Sequence, residues 1–311
     1  MSALISGSLA YDVIMRFPGH FADHILPERI HQLSVAFMVE DLRREFGGCA
    51  GNIAYTLTLM GETALPVAAA GHDFGAYAEW MDTNGISRKY VRVLDDVFTA
   101  QAYINTDDDD NQITAFYPGA MGRAHEQPLP VGTNARVGIV APDGRESMRQ
   151  HAAEFQAAGI PFLFDPGQGL PMFDGPALLG FLEQARWLAL NDYEAGLFQQ
   201  KTGLKLEAIA ARVEAMIVTF GGKGSVIYAA GKRHEIPVVK PGAVIDPTGC
   251  GDAYRAGLLY GLLHGCDWET TGRIASLAGS IKVASRGTQN HRFGPEEFIE
   301  YFRSAFGYSP V

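Results

Sequence analysis

Five short apolar runs follow one another in the second half of the chain, at residues 137–141, 161–164, 187–190, 216–220 and 226–229. Each is too short for a typical helix and nearly free of polar side chains, which is how strands buried on both faces read. Stretches with helical spacing at 146–158, 176–183 and 206–212 separate several of them, and two longer helical stretches follow at 252–263 and 270–284. Strand–helix alternation of this kind predicts an α/β fold with a mostly parallel sheet covered by helices on both faces.

The first 120 residues read differently. Residues 3–9 and 13–17 have strand character, 51–60 carry Ile53, Leu57 and Met60 on one helical side, and 66–70 read as a short buried strand. Residues 77–84 read as a helix closed by Gly85 at its C′ position. Residues 99–105 and 112–117 look like a hairpin with Asp107, Asp108, Asp109, Asp110 and Asn111 at its tip. Four adjacent carboxylates could attract a divalent cation, but like charges repel and Asp and Asn are turn formers, so a solvated turn is expected. The reading is one α/β domain over residues 1–311, with a small β element built from pieces of the first 120.

Composition excludes several classes. The formal charge of −10, from 25 basic and 35 acidic side chains, argues against a nucleic-acid footprint. It does not exclude single nucleotides, because a few backbone amides can hold a phosphate. A chain of 311 residues buries roughly three quarters of its unfolded surface, so it needs no disulfide or structural metal. Cys49, Cys250 and Cys266 form no CxxC pair and read as reduced thiols. The first residues carry no basic n-region, and no apolar run approaches the roughly 18 residues of a membrane span. A soluble, cytoplasmic protein is expected. His20 and His24 are four apart, but Pro18 and Pro27 disfavour a helix there, so solvated loop histidines are expected rather than metal ligands.

Stock catalytic motifs are absent. Gly222-Lys223-Gly224-Ser225 lacks the earlier glycine of a P-loop, Gly249-x-Gly251 is followed by Tyr254 rather than a third glycine, and no G-x-S-x-G elbow occurs. The informative segment is Asp246-Pro247-Thr248-Gly249-Cys250-Gly251-Asp252-Ala253. Two glycines allow a close backbone approach just before a helix that starts near Gly251, and free amides at a helix N-terminus bind anions. Asp252 in that first turn could simply be a capping carboxylate. A carboxylate beside an anion hole is also what phosphoryl transfer to a hydroxyl needs.

This segment resembles the C-terminal signature of the PfkB carbohydrate kinase family of the ribokinase-like superfamily. Other stretches agree in the family's order: Gly47-Gly48-Cys49-Ala50-Gly51-Asn52, Asn191-Asp192-Tyr193-Glu194 as N-x-x-E, and Thr219-Phe220-Gly221-Gly222-Lys223-Gly224 as T-x-G-x-x-G. Gly71-His72-Asp73-Phe74-Gly75 is one residue shorter than the family's G-x-D-x-x-G. Each motif alone has an ordinary explanation: a cap at Asn52, a turn at Asp12 and at 219–224, a first-turn carboxylate at Glu194. Their joint order carries the resemblance, from about Gly7 to His291.

The resemblance implies a three-layer α/β sandwich with a small β-sheet lid from about 10–18, 33–47 and 98–120. It implies Asp252 as catalytic base and the amides of Gly249, Cys250 and Gly251 as anion hole. Asp12 and Asn52 would bind acceptor hydroxyls, and Gly47 and Gly48 would be the lid hinge. Asn191 and Glu194 would organise Mg²⁺ and ATP phosphates, and Thr219, Gly221 and Gly224 would contact the nucleotide. Asp246, Thr248 and the loop 285–291 lie where the family often holds a monovalent cation such as potassium, and His291 stands where an oxygen donor is often found. Lids of this family pair in some members, so a homodimer through the lid stays open.

The acceptor is narrowed by Asp-Pro-Thr-Gly-Cys-Gly-Asp at 246–252, with 164–168 and 286–291, which look like bacterial adenosine kinases of this superfamily. A nucleoside base needs apolar and aromatic walls, and Phe37, Met38, Phe116 and Tyr117 supply candidates; the same residues could equally be lid core. The expected reaction is ATP-dependent phosphorylation of a nucleoside's primary hydroxyl, first of all adenosine, a purine-salvage step. A ribokinase, fructokinase or other sugar kinase is the alternative. A non-catalytic sensor is disfavoured by Asp252 among intact glycines, and an NAD-dependent enzyme by the missing fingerprint.

Overall fold

A computed structural model describes residues 1–25, 31, 34–109 and 111–311. Leu33, where the second expected lid segment begins, lies outside the described residues, as do Pro27 beside His24 and Asp110 in the acidic turn.

The parallel sheet is as expected, and larger. β1 (Ser2–Ser6) leads through the first elements to β4 (Thr63–Gly71) and β5 (Tyr90–Leu94), which extend the sheet on one side. On the other side β8 (Val137–Val140), β9 (Phe162–Phe164), β10 (Trp187–Asn191) and β11 (Ala215–Thr219) follow in chain order, all parallel. β12 (Ser225–Ala229) and β13 (Lys232–Ile236) close that edge by antiparallel pairing. The order is β13-β12-β11-β10-β9-β8-β1-β4-β5.

Alternate side chains of these strands enter two separate cores, so the sheet is the middle of three layers. Ile5, Ala68, Ile139, Ala189 and Ile217 face α1 (Cys49–Leu59), α2 (Gly75–Thr83), α7 (Cys250–His264), α8 (Trp268–Val283) and α9 (Pro295–Phe306). Leu4, Val67, Val140, Leu188 and Val218 face α3 (Arg145–Ala158), α4 (Gly175–Gln184), α5 (Asp192–Thr202) and α6 (Leu206–Ala210). Two-sided burial explains the unbroken apolar runs in the sequence.

The second sheet has four strands in the order β3-β2-β6-β7: β2 (Ala10–Arg16), β3 (Asp41–Gly47), β6 (Ala100–Thr106) and β7 (Gln112–Tyr117). The expected segment 33–47 contributes a strand only from Asp41; residues 34–39 are irregular. The segment 98–120 is two strands and then a 3-10 turn, Gly119–Glu126, that packs on β4 and not on the small sheet alone. Among the described residues no helix is long and apolar enough to cross a membrane.

Candidate active site

In parallel α/β sheets, ligands bind beyond the carboxyl ends of the strands. Most of the candidate residues collect at that edge. Asp165 follows β9, Asn191 ends β10, Thr219 ends β11 in register with Asn191, and the start of α7 lies across the same opening. The small sheet reaches the same region: Glu45 accepts from Asn290 Nδ2 at 3.1 Å, and the charge of Asp246 acts on Asp12. Glu45, Asp12, Ala102 and Phe116 form one cross-strand row, so Asp12 and Phe116 project on the same face.

The turn into α7 is made by Gly249, which has φ 78°, a left-handed conformation that suits glycine. Of the three amides expected to form an anion hole, Cys250 N is taken, donating to the carbonyl of Pro247 at 3.1 Å, while those of Gly249 and Gly251 have no acceptor among the described residues and, with the helix dipole, are free to meet an anion. Asp252 sits in the first turn, partly exposed. It does not cap the helix with its side chain. Instead its Oδ2 accepts 2.8 Å from Nδ2 of Asn52, on α1. Burial pushes the Asp252 carboxyl up to about 6, the Asn52 donor opposes that shift, Asp165 adds to it and Arg255 reduces it. The group is thus poised as a base near neutral pH.

Asn52 is itself held. Its Oδ1 accepts from Nε2 of Gln289 at 3.0 Å, and the same Nε2 lies 2.7 Å from the Tyr77 hydroxyl. Tyr77 donates to the carbonyl of Gly47 at 2.8 Å, and Trp80 Nε1 donates to Gln289 Oε1 at 2.9 Å. A polar chain therefore runs from Asp252 through Asn52, Gln289 and Tyr77 to the start of the expected hinge. Gly48 follows with φ 85°, and a Cβ there would lie 2.5 Å from the carbonyl of Ser8, so only glycine passes the chain from β3 into α1.

Asp12 has no hydrogen-bond partner among the described residues, and burial followed by the charges of Glu45 and Asp246 pushes its carboxyl up to about 6. It is an acceptor without a partner among the described residues, on the row of Glu45. The aromatic candidates divide. Phe37 packs against Phe17 and Phe21 at ring-centroid distances of 5.0 and 4.8 Å and belongs to a small cluster of its own. Phe116 and Tyr117 are on β7, all of whose residues are exposed, and Met38 is exposed as well.

At the carboxyl end of β10 the N-x-x-E residues stand at the start of a helix. Asn191 and Glu194 form a reciprocal capping box at the start of α5: Glu194 N donates to Asn191 Oδ1 (2.7 Å), and Glu194 accepts from Asn191 N (2.8 Å) and Nδ2 (2.9 Å). Burial raises the Glu194 carboxyl, with Asp165 adding to the shift. Gly221 and Gly224 both have positive φ, 55° and 93°, and bracket a tight exposed turn after Thr219. Asp246 spans the strap before α7, accepting from the amides of Thr248 and Gly287 at 2.9 Å each. Burial pushes its carboxyl up, but those amides outweigh burial and hold it below the usual range.

Two residues that tie the walls together carried no role in the sequence reading. Arg255, one turn beyond Asp252, makes a buried bidentate pair with Asp165 at 3.1 and 2.9 Å. Its charge also acts on Glu194 and Asp252. The available signal was positional: Asp165 follows an apolar strand, and Arg255 shares a helix face with Asp252 at i+3.

A family comparison decides the lineage: the pfkB family carbohydrate kinase pattern matches residues 17–292. The chain belongs to the pfkB family of carbohydrate kinases. Within this family, the nucleoside kinase of Burkholderia thailandensis solved in complex with inosine superposes with a TM-score of 0.90 and is 49% identical, covering 99% of each chain. The same Burkholderia protein has also been solved in complex with ADP-inosine, with a TM-score of 0.88, 50% identity and coverage of 99% of this chain and 97% of that one. The nucleoside kinase of Methanocaldococcus jannaschii is 32% identical over 277 residues, 88% of this chain and 91% of its own length. The ribokinase of Bacillus subtilis is 25% identical over 252 residues, covering 78% and 83%. The ribokinase-like fold expected from the sequence is the fold of this pfkB chain.

Proposed function

We propose that the chain transfers the γ-phosphoryl group of ATP to the primary hydroxyl of a purine nucleoside, adenosine among the acceptors. The observation that carries the chemistry is Asp252: a carboxyl raised to about 6, beside the amide run of a helix N-terminus and bonded to Asn52. Asp252 accepts the hydroxyl proton as the oxygen attacks phosphorus. The free amides of Gly249 and Gly251 stabilise the charge on the phosphoryl oxygens in flight, and the Cys250 amide, bonded to Pro247, holds the turn that aims them. Asp12 and Asn52 orient the sugar, and Phe116 gives the base an exposed ring on the face that carries Asp12. The nucleoside assignment, as against a sugar, is supported by the inosine complex of the 49%-identical Burkholderia relative.

The residues at the strand ends suit a hydrated Mg²⁺. Glu194 and Asp165 already accept protein hydrogen bonds but keep further lone pairs, so they would hold the ion through its waters, as a reluctantly dehydrated cation prefers. When bound, it neutralises phosphate charge. The reading extends to a place in purine salvage in the cytoplasm, with small molecules as the only required partners and the lid sheet as the face of any homodimer.

The deciding experiment is turnover with ATP and Mg²⁺ on adenosine, inosine, ribose and fructose. Transfer to adenosine or inosine with kcat/KM well above that of the sugars is expected. Transfer to ribose or fructose alone defeats the nucleoside assignment, and no transfer to any acceptor defeats the phosphotransfer reading.

A further inference from the structure

Lys282 stands where a lysine is costly. It lies in the last turn of α8 with 0% of its surface exposed. A buried ammonium needs partners in place of water. Its Nζ donates to two backbone carbonyls, those of Asp246 at 2.7 Å and Ser285 at 3.3 Å. Carbonyl oxygens gathered around a buried positive charge are the surroundings a dehydrated alkali cation takes. Here the charge is tethered to the chain.

The position matters because of what those carbonyls belong to. Asp246 opens the strap that runs into the anion hole. Ser285 opens the loop that carries Thr288 and Gln289. A Cβ on Gly249 would lie 3.2 Å from Thr288, and Gln289 holds Asn52, which holds Asp252. Gly287 N is fixed on Asp246 Oδ2 at 2.9 Å. The ammonium therefore clamps together the two segments that shape the anion hole and position the base.

A potassium ion expected at Asp246, Thr248 and the loop 285–291 does not fit these residues. Two of the carbonyls already accept from the ammonium, and both carboxylate oxygens of Asp246 accept from amides. His291 is an imidazole, 1% exposed, and burial together with Lys282 and Arg292 pulls it down to about 3, so it stays neutral and engages Thr56 at 3.0 Å. A second monovalent cation beside Lys282 would also be repelled by it.

We propose that Lys282 is a built-in monovalent cation, a positioning residue whose ammonium does the work of a bound potassium ion and makes the phosphotransfer independent of added alkali ions. Burial pulls the ammonium's pKa down, while Cys250, Asp246 and Asp252 pull it back up.

The proposal rests on the phosphotransfer reading for its kinetic arm, so a melting-temperature arm is run alongside. The wild-type chain is assayed in choline chloride and in potassium chloride at equal ionic strength, and its turnover and melting temperature are expected to agree between the two within about twofold and within error. Lys282→Ala opens cation-sized space: in choline its kcat is expected to fall on the order of 10²-fold and its melting temperature to drop, both recovering in potassium. Lys282→Met fills the space with an apolar chain and is expected to lose both without recovery. Stimulation of the wild type by potassium by more than about threefold overturns the proposal. So does Lys282→Ala that is equally impaired in both salts, or unimpaired in choline. A wild type without turnover defeats only the proposed function, and the melting arm then decides. If Lys282→Ala does not fold, the wild-type salt comparison decides alone.

Discussion

The two walls of the cleft are held by different means. The wall proposed to hold the acceptor is tied by hydrogen bonds between residues far apart in the chain: Asn52 and Asp252 are 200 positions apart, Gln289 and Asn52 237. The wall proposed to hold the nucleotide is organised locally. Asn191 and Glu194 satisfy each other three positions apart, and the turn of Gly221 to Gly224 closes on itself by a bond from Phe220 N to Gly224 O. A network drawn from several elements is fixed only when the whole fold is formed, and so can hold a base within the narrow tolerance catalysis needs. A local turn forms with its strand end and keeps backbone exposed, as the proposed phosphate contact needs. The acceptor wall should therefore govern kcat and the nucleotide wall the KM for ATP.

The largest test of this contrast is Asp252→Asn. Turnover should fall about 10³-fold, with nucleoside affinity by calorimetry nearly unchanged, because Asn52 can still pair with the amide. Melting should move the opposite way. A carboxyl whose folded pKa is raised binds protons more readily in the native state, so its contribution to stability declines as pH rises from about 4 to about 6 and the deficit persists at neutral pH. Removing the charge relieves it. Near-normal turnover for the variant would remove Asp252 as base.

Gln289→Ala should come next. It leaves Asp252 and Asn52 in place but frees both from the loop, and a loss of roughly 10- to 10²-fold in kcat is expected with ATP KM unchanged. A pH profile separates this from a general loss of folding. In the wild type, kcat/KM should fall on the acid side below about 6, since Asp252 and Asp12 are both raised to about 6 and both act ionised. An exposed carboxylate would keep the rate until about 4. In Gln289→Ala that acid limb should move, because Asn52's donated bond opposes the upward shift and is no longer braced.

Glu194→Gln probes the other wall with a smaller effect. The amide keeps one acceptor for the capping box but loses the charge that would face the proposed hydrated Mg²⁺. ATP KM should rise several-fold, about 1 kcal/mol in binding, while kcat changes less. An effect on kcat alone would reverse the assignment of the two walls.

The same contrast explains what the sequence made legible. Strands buried on both faces announce themselves as apolar runs, and five of them were enough for the sandwich. The strands at the sheet edges did not: Tyr90–Leu94 and Lys232–Ile236 carry exposed or charged side chains, as edges must, and break the pattern. Local motifs were visible with their position but not their chemistry. Glu194 reads from its residues as a first-turn carboxylate and, with Asn191, by resemblance as a nucleotide motif; the structure shows the helix start, and three-residue spacing serves both. The long-range partners were invisible in kind. Nothing in the spacing of Gln289, Asp165 or Lys282 says that each will be buried against a residue from another element, since those contacts exist only after the three layers close. Asp252 stands out as a candidate in the sequence because its glycines are adjacent to it; its bond to Asn52 does not.

Phe116 gives the smallest effect and the finest discrimination. The ring is 53% exposed on a strand with no buried residue, so truncation removes almost no core and Phe116→Ala should leave the melting temperature unchanged. The ring shares a cross-strand row with Asp12 and Glu45, so it lies on the face that carries Asp12. A stacked base would lose about 0.5–1.5 kcal/mol on truncation, so KM for adenosine should rise about two- to tenfold with kcat held. Ribose has no base to stack, and any residual phosphorylation of ribose should be indifferent to the change. If Phe116→Ala weakens both acceptors equally, the ring acts through lid closure and not through the base. If it weakens neither, the base lies elsewhere, and Phe116 is one more exposed residue of a sheet whose other face does the binding.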